Sequence, residues 1–479
     1  MIPMDDRDVE LSNMLSALPY SFEQTVSIKN IRERFGEYED KIVSVAGRIS
    51  GMRKAGKLVF LDVMNSTGKI QGYFDYGKLG EEKFSAVKGY NVGDFVGITG
   101  NVFKTNPGEI SINVSEYSLL AKALRTLPDK WKGLQDVETR YRKRNLDLIV
   151  NDESRDVALK RSLITKLIRG YMDGKGYMEF ETPVIQPLYG GADAEPFKTY
   201  TNTIKEEDYL RISNELYLKR LIIGGLDRVY EIYKAFRNED FDSTHSPEFT
   251  MMEVYEAYTD YEGMMRLNEG LFEFLVKKLY DREFIEYQGE KISFKAPFRR
   301  IGYIDSLNEK LGLDVMSLSD EELLKLAESK GIKFEKGKRF RAHAYDKLLE
   351  LLVQPECVQP TFIMDFPRET SPLSRPKRSN PKLAERFELY INGVEISNAF
   401  SELNNPIIQR ENFAAEEEKA KMGDKEAEPL DMDFVEAMEY GMPPTGGIGI
   451  GIDRLVMLLA NQKSIKEVIL FPIEKREKS

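Results

Sequence analysis

The chain has one cysteine, Cys357, so no internal disulfide can form. That suits a reducing compartment. It has two histidines, His245 and His343. Two histidines and one cysteine exclude an ordinary structural zinc site. Any metal must then sit on carboxylates, which favours a hard cation such as Mg²⁺. No apolar run reaches the roughly 18 residues that a membrane helix needs, so no membrane is expected as a partner. Residues 1–10 are acidic and lack both a signal-peptide core and an Arg-rich transit character. The expected location is cytoplasmic.

What is present points to a large soluble protein. A chain of 479 residues allows two or three domains. With 41% hydrophobic and 31% charged residues it can bury a sizeable core. The net charge of −11 argues weakly against a nucleic-acid partner. Local patches override a net figure, so composition leaves that question open.

Taken in order, residues 1–27 read as a helical segment spaced by Val9, Leu11, Met14, Leu15 and Leu18. Residues 28–127 carry five short β-rich runs, near 42–49, 58–63, 69–74, 95–102 and 110–114, with Gly-rich turns. That pattern suggests a small closed barrel, for which the OB-fold is the commonest solution. Residues 128–152 are a connector dense in charge, including Arg140, Arg142, Lys143 and Arg144, as a solvated linker would be. Residues 153–479 form the rest of an α+β chain. Their first helix is predicted over 154–171 from apolar steps of three and four, followed by a strand over 177–183. A strand over 209–213 precedes a helix over 215–223, with Asn214 at its cap. A helical insertion spans about 304–353 and includes a basic stretch at 333–341. A last short strand is predicted at 471–473.

One stretch stands out. Residues 229–236 and 249–258 read as two strands joined by a loop containing Asp240, Asp242, Ser243 and Pro247. On the second strand Phe249, Met251, Glu253 and Tyr255 share a face. Charged groups on such strands are costly unless something pairs them. The pairing could be purely structural. An Arg that forks onto a phosphate beside acids that hold an amine would equally suit a ligand.

A second hairpin is marked by Asn392-Gly393, a strong I′ turn signal. Folding there pairs Ile391 with Val394 and Tyr390 with Glu395. Glu388 and Glu395 become diagonal neighbours on one face. Two carboxylates that close repel unless a cation sits between them. The same alternation places Asn398, Phe400 and Glu402 on the opposite face, unless a bulge or strand end after Ser397 reorients them. Near the C-terminal end, Gly446-Gly447-Ile448-Gly449-Ile450-Gly451-Ile452-Asp453-Arg454 lets backbone approach a ligand and then begins a helix at Asp453. Its glycine spacing fits neither a P-loop nor a dinucleotide-binding fingerprint.

At these residues the chain resembles the class II aminoacyl-tRNA synthetases. Phe236-Arg237-Asn238-Glu239 with His245-x-Pro247-Glu248-Phe249-Thr250 resembles their motif 2. Met251-Met252-Glu253-x-Tyr255 is similar to the lysyl branch. The helix, strand and Pro183 resemble motif 1, and the glycine run with Arg454 resembles motif 3. The barrel segment Ala46-Gly47-Arg48, Gly56-Lys57, Phe60 and Gly68-Lys69-Ile70-Gln71 resembles the anticodon-binding OB domain of that branch.

The resemblance implies a set of roles. Arg237 and Arg454 would be catalytic. ATP, the co-substrate, would lie against Arg237, Glu239, His245, Phe249, Glu395 and Arg454. Mg²⁺ would sit on Glu388 and Glu395. Lysine would meet Gly191, Glu215, Glu253, Tyr255, Asn398, Phe400, Glu402 and Gly449. The anticodon of tRNA(Lys) would meet Arg53, Phe60 and Gln71, and motif 1 would form a homodimer. Read alone, Glu215 is also an ordinary first-turn acid, and Phe60 also suits a barrel core.

The acids Glu253 and Glu402 beside Tyr255 imply a cationic side chain, hence lysine activation and its transfer to tRNA. Aspartyl- or asparaginyl-type enzymes share the architecture, but a carboxylate substrate would need an Arg in the pocket. Retention of Arg237, Glu395 and Arg454 argues against a non-catalytic RNA-binding paralogue. The N-terminal barrel argues against a ligase that acts on a protein. The chain departs from the family pattern at Asp193 and Glu195, at Ser397 where Gly is usual, and at Tyr200-Thr201 where His is common.

Overall fold

The computed structural model describes residues 6–128, 134–334, 339–421 and 428–475. Parts of the predicted N-terminal helix, connector and basic stretch lie outside the described residues. The chain divides into two units, Met1–Gln135 and Asp136–Ser479.

In the first unit a helix runs over Asp6–Ser16. Five strands follow: β1 (Ile42–Ala55), β2 (Leu58–Asn65), β3 (Gly68–Asp75), β4 (Phe95–Lys104) and β5 (Ile110–Ala121). They close a barrel in the order β1-β2-β3-β5-β4. Alternation sorts β2 cleanly. Val59, Leu61 and Val63 are fully buried, while Leu58, Phe60 and Asp62 face outward and are half-buried. At Gly100, β4 approaches β5 so closely that a Cβ would overlap the Asn113 carbonyl. Short helices Ile28–Glu33 and Phe35–Tyr38, and a longer one over Tyr76–Lys88, were not legible in the sequence. They complete the barrel core with Ile28, Ile31, Leu79, Phe84 and Val87.

The second unit is built on a nine-stranded mixed sheet. Its strands are β6 (Met178–Glu179), β7 (Arg228–Phe236), β8 (Glu248–Ala257), β9 (Arg299–Gly302), β10 (Thr361–Pro367), β11 (Asn380–Ile391), β12 (Val394–Ser401) and β13 (Thr445–Gly451), with a short strand Pro376–Lys377 beside β11. The order is β9-β10-β11-β12-β13-β8-β7-β6. All neighbours are antiparallel except the two edge pairs, β9 with β10 and β6 with β7.

One sheet face is apolar. Met252, Val254, Phe387, Leu389, Ala399, Ile448 and Ile450 share a core with helices Asp152–Gly174, Tyr261–Tyr280 and Ile452–Leu459. The period of 2 then sends the intervening residues to the other face, where the cavity lies.

Several predicted elements differ. The strand expected over 177–183 is only β6, an edge strand. The strand expected over 209–213 is Glu206–Leu210, in a separate three-stranded sheet. No strand forms at 471–473; the chain there follows a short helix, Ile465–Val468. Asn214 precedes helix Glu215–Ile223 but makes no side-chain cap. Its amide donates to Glu231 instead, at 2.7 Å, and the Glu215 N–H donates to Ser213 Oγ at 3.0 Å. The predicted connector is not a solvated linker beyond Asp136. It forms helices Val137–Arg142 and Arg144–Val150. Asp147, fully buried, takes Arg140 at 3.0 Å and Arg144 at 2.5 Å, and Arg140 also takes Glu467 at 2.8 Å. A charge run reads as solvated in sequence because the burial of Asp147 and the contact of Arg140 with Glu467 are tertiary. The insertion is helical, over Tyr303–Leu311, Asp320–Ser329 and Arg341–Leu352, with its own core around Leu323, Leu324, Tyr345 and Leu348.

Candidate active site

The polar face of β8, β11, β12 and β13 floors a cavity of about 410 Å³, a size suited to small molecules. Why these residues meet is a matter of register. Tyr390 pairs with Glu395 and Ile391 with Val394, as the I′ turn predicts; then Leu389 pairs with Ser397 and Glu388 with Asn398. Ile396 is the extra residue of a bulge. The bulge lies one residue before Ser397 rather than after it. It turns Asn398, Phe400 and Glu402 onto the face of Glu388 and Glu395, and all five line the cavity. The opposite-face placement expected from strict alternation is thereby overturned. Ser397 is turned away and accepts a 2.5 Å hydrogen bond from Asn268 on the core helix, so this departure leaves the cavity untouched.

One end of the cavity is acidic. Glu215, Glu253 and Glu402 converge there, 5%, 6% and 0% exposed. Glu253 Oε1 accepts from Tyr233 at 2.6 Å and from Ser213 at 2.9 Å, and Oε2 accepts from Tyr255 at 2.9 Å. Burial and the nearby Glu215 charge push Glu253 up to about 7, against the pull of those three hydroxyls. Burial likewise pushes Glu402 up to about 8, against the pull of the Lys219 ammonium. Two glycines make room. Gly191, at φ 84°, packs so tightly that a Cβ would stand 2.9 Å from Glu215 Cβ and Ser213 Oγ. A Cβ at Gly447 would overlap the Glu402 carboxylate. Gly449 lies between Glu253 and Asn398 in the ladder.

The other end mixes cations with acids. Arg237 follows β7, and its guanidinium lies 5.2 Å from the Phe249 ring centre; its Nε has no hydrogen-bond partner among the described residues. Glu239 accepts from the Glu195 N–H at 3.4 Å. Arg454 donates to the Glu395 carboxylate at 3.2 Å and to His245 Nε2 at 3.1 Å. Arginine only donates, so the His245 ring proton lies on Nδ1, 3.1 Å from Asp242. Glu388 is held on both oxygens, by Arg386 at 2.6 Å and by Tyr390 at 2.5 Å. Burial raises Glu388 to about 7; Arg386 opposes this and Glu395 adds to it.

Among the described residues no group of three His, Cys, Asp or Glu could hold a metal alone. Glu388 and Glu395 fit the other pattern, in which Mg²⁺ is bound by one or two carboxylates together with substrate phosphates.

The residues of this unit expected to be catalytic or to meet lysine, ATP or Mg²⁺ therefore all line one cavity. Arg53, Phe60 and Gln71 lie in the first unit. There Arg53 pairs with Phe60 across β1 and β2, its guanidinium 4.7 Å from the ring centre. Gln71 accepts from Ser111 at 3.2 Å. Phe60 is on the outer face, not in the core.

Sequence reasoning missed Lys219, Arg386, Tyr233, Ser213 and Gly447. Two of these had a signal. Lys219 stands four residues after Glu215 on a helix, and Arg386 stands two before Glu388 on a strand.

Comparison with known proteins agrees with this geometry. The model of the family described as tRNA synthetases class II (D, K and N) matches residues 136–475. A model described as an OB-fold nucleic acid binding domain matches residues 43–120. The chain is 46% identical to the lysine–tRNA ligase of Clostridium tetani over 95% of its length and 91% of the relative's. It is 48% identical to lysine–tRNA ligase 2 of Methanosarcina acetivorans over 98% of its length and 92% of the relative's. With Syntrophomonas wolfei lysine–tRNA ligase the identity is 47%, over 94% and 92%. A catalytic unit matched nearly end to end, carrying a cavity with acids at one end and arginines at the other, leaves no ambiguity of family: the chain belongs to the class II tRNA synthetases of the D, K and N group.

Proposed function

We propose that the chain is a lysine–tRNA ligase of the cytoplasm, activating lysine with ATP and transferring it to the 3′-terminal adenosine of tRNA(Lys). The observation that carries the reading is the convergence of Glu215, Glu253 and Glu402 at one cavity end. A carboxylate side chain would be repelled there. A side-chain ammonium would pair, and uncharged isosteres would leave buried acids unpaired.

In this reading Glu215 takes the α-ammonium, with Gly191 leaving it space. Glu402 and Tyr255 hold the side-chain ammonium, and Glu253 fixes the Tyr255 hydroxyl. Asn398, Phe400 and Gly449 form the wall and floor along the side chain. Phe249 stacks adenine and Glu239 reads its amino group. The lysine carboxylate, already ionised, attacks the α-phosphorus; the bond to the leaving pyrophosphate oxygen breaks. Arg237 bridges the developing charge on the α-phosphoryl. Arg454, now on Glu395 and His245, moves its donors to the distal phosphates. Mg²⁺ on Glu388 and Glu395 would supply further positive charge there. The terminal adenosine hydroxyl then attacks the adenylate carbonyl and AMP leaves. Catalysis is positioning and electrostatics, with no side-chain base in the first step.

The partners follow from other surfaces. An outward aromatic paired with an arginine suits stacking on a single-stranded base, which supports Phe60, Arg53 and Gln71 as anticodon contacts. Leu159 and Leu163 on helix Asp152–Gly174, with Met178, Val184 and Ile185 beyond it, are exposed apolar side chains. Exposed apolar side chains on the motif 1 elements suit a homodimer through motif 1. Among the described residues no helix is long and apolar enough to cross a membrane.

Four outcomes are expected. ATP–pyrophosphate exchange, measured with each of the twenty amino acids, responds to lysine alone and stops when divalent cations are chelated; exchange with aspartate or asparagine would reject the pocket assignment. The KM for lysine rises about tenfold per unit as pH falls from about 8 to about 7, and more steeply below 7, because Glu402 and Glu253 must each lose a proton to accept an ammonium; a flat profile between pH 8 and 6 would contradict it. Phe60→Ala raises the KM for tRNA by about tenfold, the loss of one stacked base, and leaves pyrophosphate exchange unchanged. Sedimentation equilibrium gives a dimer mass, and Leu163→Glu shifts it to the monomer; an unchanged mass would place the interface elsewhere.

A further inference from the structure

Lys219 is a fully buried cation that the mechanism above does not use. It stands one helical turn after Glu215 and is 1% exposed. Its Nζ pairs with Glu402 Oε2 at 2.5 Å and also with Glu215 Oε1. Among the described residues it is the one cation ion-paired with Glu215, Glu253 or Glu402. Burial by itself would lower its ammonium; the charges of Glu215 and Glu402 outweigh burial and hold it above the ordinary lysine value. It therefore stays charged.

Burying a Lys costs several kcal/mol of desolvation before any pairing (roughly, for an ammonium-sized ion). Its position accounts for that cost. The ion pair with Lys219 falls on Oε2; neither Glu402 oxygen has a hydrogen-bond partner among the described residues, and Oε1 has no ion-pair partner either. Oε1 is the oxygen that a Cβ at Gly447 would overlap, so it faces the space the glycine strand leaves open. Above about pH 8, where Glu253 and Glu402 have lost their protons, three acids less one internal cation leave a net charge of minus two. An amino acid with two ammonium groups, whose carboxylate is held at the arginine end, supplies exactly that complement of positive charge in the same space.

We infer that Lys219 is a positioning and specificity residue: it ties Glu215 to Glu402, aims Glu402 Oε1 at the substrate, and sets the pocket's charge to that of a diamino acid. The inference rests on the lysine reading of the site. Without the internal cation, Glu215 and Glu402 would face each other as like charges, and Glu402 would keep its proton to a still higher pH. The pocket would then discriminate poorly between a cationic side chain and a neutral one of the same shape.

The test uses the full-length protein with Lys219→Met and Lys219→Gln, in pyrophosphate exchange with lysine and with its neutral isostere norleucine. The expected result is a lysine KM raised at least about thirtyfold, an ATP KM within about threefold, and a lysine-over-norleucine preference reduced at least about tenfold. The pH at which lysine binding weakens should also move upward by about one unit or more. Unchanged lysine KM and preference would overturn the inference, as would lysine and ATP KM rising together. If neither variant folds, calorimetry of lysine binding to the unmodified protein in buffers of different ionisation enthalpy decides at pH 8.5. Uptake or release of less than about half a proton is expected. Release of a full proton would mean that Lys219 neutralises on binding and is not the fixed counter-charge. Absence of lysine-dependent exchange in the unmodified protein would instead reject the ligase reading itself.

Discussion

Burying carboxylates side by side is the constraint around which the catalytic unit is arranged. Glu215, Glu253, Glu388 and Glu402 are each less than a tenth exposed. A carboxylate taken out of water must be paired, hydrogen-bonded or neutralised. The chain uses a different remedy for each. Glu253 is given three hydroxyl donors. Glu388 is given an arginine and a tyrosine. Glu215 and Glu402 share one lysine. Of the four, only Glu402 keeps buried oxygens without a hydrogen-bond partner among the described residues, and a cation would gain most there.

The sheet makes this crowding possible. Its core face is held against three helices by aliphatic and aromatic side chains, so its position does not depend on the charges opposite. The glycines of β13 then remove side chains from the floor between β8 and β12, where Glu253 and Asn398 flank Gly449. A rigid apolar face and a stripped polar face belong to the same strands, by the period of 2. Charge thereby accumulates where packing can tolerate it.

The barrel unit follows simpler rules. Its inward positions are almost wholly Val, Ile and Leu, and its outward face carries the Arg53–Phe60–Tyr73 row. An aromatic left outside a well-filled barrel, with an arginine at 4.7 Å, costs apolar exposure that a stacked base would recover.

Local sequence determined a good part of this protein. The five barrel strands, the β7–β8 hairpin, the helix over Glu215–Ile223 and the I′ turn at Asn392-Gly393 all follow from alternation, helical spacing and turn chemistry, which act over a few residues. Resemblance to a known family likewise marked many, though not all, of the residues that line the cavity. Tertiary structure decided the rest. The bulge at Ile396 reversed the facing of Asn398, Phe400 and Glu402, and nothing in an alternating run of letters marks where one residue is inserted. Arg140 and Arg144 read as part of a solvated linker, because neither the burial of Asp147 nor the pairing of Arg140 with the distant Glu467 is visible in a run of charges. Lys219 went unmarked in the sequence, because its partner Glu402 is remote in the chain. Periodicity is local and visible in one dimension; charge compensation and register depend on which strangers in sequence become neighbours in space.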